Sequence, residues 1–169
     1  FITHRADLLR PGCFFLPIPS VFYYDLGGGR QVDSSWASVT QLMDARARTW
    51  SDEILTALGI PRTLLPDIVE PGAIVGQLHA KLAAAIGINR PRLVAAAAHD
   101  TASAFAAAPV DHVDDALIIS SGTWSLVGKL ISQPITSPEA MAANISNEGG
   151  IGNTRFLKNC MGSWLVQEL

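Results

Sequence analysis

His99, Asp100 and Thr101 stand together inside a run of alanines, AAAAHDTASAFAAA at residues 95–108, and carry the types best suited to chemistry. A carboxylate there could accept a proton, as a general base does. Asp100 could equally be an N-cap, taking hydrogen bonds from the first free amides of the helix that follows, with His99 supporting the loop. The two roles can coexist, because amides and the helix dipole favour a carboxylate in its charged form. A second candidate is SSGTWS at 120–125. Its small-residue turn offers amides and hydroxyls to a phosphate, and it is also a plain hairpin turn. GGGR at 27–30 lacks the P-loop pattern and reads as a surface turn, while NEGGIGN at 147–153 lacks fingerprint spacing and reads as a β-turn. The four histidines and two cysteines form no metal-ligand pattern, and there is no G-x-S-x-G elbow.

The elements that must position these residues can be read from periodicity. SSWASVTQLMDARARTW (34–50) spaces Trp36, Val39, Leu42 and Met43 as an amphipathic helix. Ser51, Asp52 and Glu53 open another helix that Gly59 closes. Residues 71–90 predict a short strand, then an alanine-rich helix from His79 to Ile86 stopped by Gly87. RLVAAAA (92–98) has the length and apolarity of a strand that delivers Asp100 at its carboxyl end, where open α/β sheets bind ligands, and TASAFAAA forms a helix ended by Pro109. Beyond VDHVDD (110–115) the character changes: ALIISSGTWSLVGKL predicts two strands about a tight turn, and TRFLKN another strand before a helix, MGSWLVQEL. A domain boundary is placed at about residue 110.

The 169 residues, about half of them apolar, suffice for one compact domain or two small ones. Twelve basic against fifteen acidic side chains leave a net charge of −3, which favours neither nucleic acid nor an anionic membrane as partner. Cys13 and Cys160 lie far apart without metal spacing, as suits a reducing cytoplasm, and no apolar run is long enough to span a bilayer. The chain opens on Phe1 and stops inside a helical pattern, so it is expected to be a piece of a longer protein.

Taken in order, TQLMDARARTWSDEILTALGIPRTLLPDIVEPGAIVG (40–76), AAHDTASAFAAAP (97–109), ISSGTWSLVG (119–128) and NISNEGGIGNTRFLKNCMGSWLVQE (144–168) resemble the FGGY family of carbohydrate kinases, and within it the rhamnulokinase branch. The resemblance implies an α/β, actin-like ATPase (ribonuclease H-like) fold: the end of the family's first, sugar-side domain over 1–110 and the start of its second, ATP-side domain over 111–169. It implies ATP-dependent phosphorylation of a ketose, L-rhamnulose to L-rhamnulose 1-phosphate, with ATP and Mg²⁺ required. Asp100 matches the catalytic base. His99, Thr101 and Asn159 match sugar contacts, and Gly122, Thr123 and Gln167 match ATP contacts. A kinase for another sugar or polyol, a non-catalytic actin-like nucleotide-binding domain and a purely structural segment are the alternatives. A truncated sheet leaves edges and apolar faces uncovered, so self-association is expected of the chain alone.

Overall fold

Capping chemistry sets most helix boundaries in the computed structural model, which describes residues 4–164. α1 (Ile18–Leu26) follows Pro17 and ends at Gly27, whose left-handed φ of 116° lets its amide turn back to the carbonyls of Tyr23 and Tyr24. β1 (Gln31–Asp33) runs directly into α2 (Ser34–Val39), because the buried Asp33 carboxylate accepts the amides of Ser35 and Trp36 and so starts the helix. β2 (Met43–Asp44) and β3 (Thr49–Trp50) form a small hairpin. α3 (Asp52–Leu58) is capped by Ser51 and closed by Gly59, as its sequence predicts.

β4 (Asp67–Val69) pairs in parallel with β1, and a core of Val32, Ala37, Trp50, Leu55 and Leu65 fills the space between these elements. β5 (Ile74–Gln77), α4 (Ala80–Ile86) and β6 (Arg92–Val94) follow, with β6 antiparallel to β5. α5 (Asp100–Ala106) then leads to the second half of the chain. There β7 (Ile118–Ser121), β8 (Trp124–Ile131), α6 (Pro138–Ala142), β9 (Ser146–Gly149) and β10 (Thr154–Met161) supply an antiparallel sheet of order β7-β8-β10-β9. The predicted pair of strands about Gly122 is present; of NEGGIGN, read as a β-turn, only residues 150–153 form the turn from β9 to β10, and Asn147, Glu148 and Gly149 are paired in β9.

One face of this sheet builds both a core and a cleft. Successive side chains along a strand alternate between faces, so Arg155, Leu157 and Asn159 share one side of β10. Cross-strand pairing adds Leu126 opposite Asn159, Leu130 opposite Arg155 and Glu148 opposite Arg155. Phe105 of α5 packs here with Ile118, Leu130 and Leu157. The amino end of α5 is thereby held against the polar part of the same face.

Three expectations fail, wholly or in part, for local reasons. The helix predicted over 34–50 ends at Val39, because the Thr40 hydroxyl donates to the Ala37 carbonyl at 2.6 Å and accepts the Leu42 amide at 3.1 Å. Asp44 then takes the amides of Arg46 and Ala47, each at 2.8 Å, and turns the chain into the β2–β3 hairpin. The helical spacing of Trp36, Leu42 and Met43 survives as packing on one core. Second, GGGR is a surface turn only in part: Gly29 and Arg30 are exposed, but Gly28 bridges to Gly76, and a Cβ on Gly76 would lie 2.6 Å from the Gly28 Cα. Third, the strand before Asp100 ends at Val94. Beyond it Ala95 still donates to the Ala73 carbonyl at 2.9 Å, and then the backbone turns to side chains, Ala96 donating to the Tyr23 hydroxyl at 3.0 Å and His99 to Ser35 Oγ at 3.2 Å.

Cys13 and Cys160 are free thiols. Among the described residues no helix is long and apolar enough to cross a membrane. The predicted final helix falls mostly outside the described residues, with Met161 still in β10.

Candidate active site

Asp100 is the first residue of α5, and His99 occupies the N-cap position without capping through its side chain. Among the described residues the Asp100 carboxylate accepts only from its neighbour, at 2.7 Å from the Thr101 amide and 3.3 Å from the Thr101 hydroxyl. Its side chain is 98% exposed. The capping reading is therefore corrected: an N-cap carboxylate would turn inward over the first amides, whereas this one projects into open space.

That space is a cleft of about 740 Å³. One wall carries His99, Asp100 and Thr101, with Val39 and Ala104 beside them; the other is the β7–β8 turn from Ser120 to Trp124 with Leu126. Glu148 and Asn159 complete the lining from β9 and β10. Six residues singled out from the sequence, His99, Asp100, Thr101, Gly122, Thr123 and Asn159, thus line one cavity although 60 positions separate the first from the last. Gln167 lies outside the described residues.

The β7–β8 turn is anchored from behind. The Gly122 carbonyl accepts the amide of Ser163 at 2.9 Å and its hydroxyl at 2.8 Å, and the Thr123 carbonyl accepts the Gly162 amide at 3.2 Å. Thr123 is left exposed on the cleft.

The opposite wall is held by a relay. The Asp33 carboxylate accepts the Ser35 hydroxyl, and Ser35 Oγ in turn accepts the His99 amide. A second serine of α2, Ser38, accepts the Gly149 amide at 2.7 Å, so the same short helix also locates β9. Behind the cleft Arg155 is wholly buried, its Nε donating to the Gly149 carbonyl at 3.0 Å and its Nη2 lying 3.0 Å from Glu148 Oε2.

Burial, and next the Arg155 guanidinium, push His99 below its usual value of 6.5, against smaller opposing pulls from Glu148, Asp100 and Asp33. Near neutrality the ring is uncharged, so its 3.9 Å approach to Asp100 is no ion pair. Its Nδ1 is buried without a hydrogen-bond partner among the described residues. The sequence reading missed Asp33, Ser35, Glu148 and Arg155. Only the cluster of serines in SSWAS and the glutamate of NEGG signalled them.

The cleft thus has an exposed carboxylate on one wall and a Ser-Gly-Thr turn on the other. The family model described as the FGGY family of carbohydrate kinases, N-terminal domain, matches residues 3–107, and the chain belongs to that family. A rhamnulokinase from Pectobacterium carotovorum subsp. carotovorum is 44% identical over 165 residues, 97% of this chain and 32% of the relative. One from Enterococcus faecalis is 43% identical over 168 residues, 99% of this chain and 34% of the relative. The chain thus spans about a third of the length of the curated relatives it matches. Among solved structures, xylulose kinase from Rhodospirillum rubrum superposes with a TM-score of 0.79 at 16% identity, over 99% of this chain and 34% of that one. Plasmodium falciparum glycerol kinase with ADP gives 0.77 at 14% identity, over 99% and 35%. The fold is accordingly the α/β, actin-like ATPase fold that the sequence implied.

Proposed function

We propose that this chain is the central part of an ATP-dependent sugar kinase that converts L-rhamnulose to L-rhamnulose 1-phosphate in rhamnose breakdown. The observation that carries the reading is the convergence of His99, Asp100 and Thr101 with Gly122, Thr123 and Asn159 on one cleft. The choice of sugar rests on the rhamnulokinase relatives.

Asp100 acts as the base. It takes the proton of the sugar hydroxyl as that oxygen attacks the γ-phosphorus of ATP, and the bond to the β-phosphate oxygen breaks to release ADP. A well-placed general base is worth ~10²–10⁴ in rate. The nearly full exposure of Asp100 leaves its lone pairs open to a substrate. His99, Thr101 and Asn159 hold the sugar, and its uncharged ring leaves His99 able to exchange hydrogen bonds with hydroxyls as donor or acceptor. Gly122 and Thr123 meet the phosphates, and Gln167 contributes a further ATP contact.

The metal is a Mg²⁺ ion carried on the ATP phosphates. Asp100 would meet its water shell, and the ion would neutralise the phosphate oxygens. A domain boundary at about residue 110 is supported by the end of the family match at 107 and the start of the four-stranded sheet at Ile118. Closure of the two domains would bring base and phosphate together and exclude water. The free thiols suit a cytoplasmic enzyme.

The test is a panel of ketoses and polyols given with ATP·Mg²⁺ to the full-length protein that carries this chain. ADP release should be greatest with L-rhamnulose, with a phosphomonoester on C1 seen by ³¹P NMR. The chain alone should show little or no turnover. Preference for another acceptor would overturn the substrate assignment, and robust turnover by the chain alone would overturn the claim that it needs its missing parts.

A further inference from the structure

We propose that Glu148, fixed by Arg155, is a further sugar-binding residue: its carboxylate accepts hydrogen bonds from hydroxyls of the acceptor and so helps decide which sugar is taken. The inference rests on the reading of the cleft as a sugar kinase site. Glu148 lines the same cavity as Asp100 and Asn159, and its side chain is only 12% exposed. It sits on the last residues of β9 directly across from Arg155, on the sheet face that carries Asn159.

A buried carboxylate requires compensation, and Arg155 supplies the charge from 3.0 Å. The guanidinium is itself locked, wholly buried and tied through Nε to the Gly149 carbonyl. Yet the contact lies off the direction of a hydrogen bond. Among the described residues neither Glu148 Oε2 nor Arg155 Nη1 or Nη2 has a hydrogen-bond partner. Oε2 is thus spent on the guanidinium and closed to solvent, and what the carboxylate presents to the cleft is its remaining 12% exposed part, whose acceptor lone pairs Arg155 does not take up.

The class of ligand follows from the sign. A carboxylate repels phosphate, so this end of the cleft is unsuited to the triphosphate of ATP, which the Ser-Gly-Thr turn serves on the opposite wall. A carboxylate already balanced by arginine is a poor cation site, and among the described residues no ligand cluster forms around it. Neutral hydroxyl donors match both the charge and the open acceptor positions, and a sugar presents several in a row.

In the full-length protein, Glu148→Asp keeps the charge opposite Arg155 but withdraws the carboxylate by one methylene, and Glu148→Gln removes the charge. Kinetics with both substrates and calorimetric titration of the ketose without ATP should show the ketose KM and Kd raised ~10-fold to ~100-fold in each variant, as expected for hydrogen bonds to a charged group. The KM for ATP should stay within about twofold, a split that a merely structural role would not produce. Should Glu148→Gln fail to fold because Arg155 is left uncompensated, Glu148→Asp decides. A folded Glu148→Asp protein with ketose KM and Kd within about twofold of the parent overturns the proposal alone. A parent that binds ATP but phosphorylates no ketose or polyol overturns the kinase reading, and this assignment with it.

Discussion

His99 shows how far one residue's surroundings can fix its chemistry. Burial outweighs the three carboxylates near it, with Arg155 adding to the downward push. A histidine held neutral in the fold takes up its proton more readily when unfolded, so it favours the unfolded chain as the solution is acidified. Its contribution to stability is fully present above the ordinary value of 6.5 and is lost as pH falls through 6.5 toward the lower folded value. Between about pH 7 and about pH 5 the parent should therefore lose more stability than His99→Asn, measured by denaturant titration at each pH. Parallel curves for the two proteins would contradict this environment for the ring.

At the level of elements, α2 is the common support of both walls, through Ser35 to His99 and Ser38 to Gly149. Its position depends on the buried Asp33 cap, which accepts two amides and the Ser35 hydroxyl. Asp33→Ala should lower stability by ~1–2 kcal/mol through the lost cap. It should also speed amide hydrogen exchange at His99, since Ser35 loses the partner that orients it. Unchanged protection at His99 would show that the relay does not hold the loop. The same elements explain what was legible beforehand. A helix with a polar cap and a terminal glycine, such as α3, announces both ends locally, and α4 announces its end through Gly87. The end of α2 and the β2–β3 hairpin depend on the Thr40 and Asp44 side chains bonding to nearby backbone, which the apolar spacing of Trp36, Leu42 and Met43 conceals. Asp100 was legible as a candidate, but its orientation was not, because cap and base use the same residue type at the same helix end.

Across the whole molecule, two features of the sheet matter. It gathers Leu126, Glu148 and Asn159 onto the cleft from three strands, a convergence set by strand register that no local pattern encodes. That is why Glu148 and Arg155 escaped notice while HDT and SSGT did not. The chain also exposes apolar side chains on separate elements, including Ile18 and Phe22 on α1 and the paired Ile74 and Val94 on β5 and β6. Alone in solution it should self-associate, with dimers or larger species by size-exclusion chromatography and light scattering. A clean monomer would contradict this. The central claim is that Asp100 is the base of a phosphoryl transfer, and its most direct test is Asp100→Asn in the full-length protein, with turnover of L-rhamnulose and ATP binding measured on the same sample. The account predicts kcat reduced by ~10²–10⁴ with the ATP dissociation constant within about twofold of the parent; turnover retained near the parent's rate would contradict it.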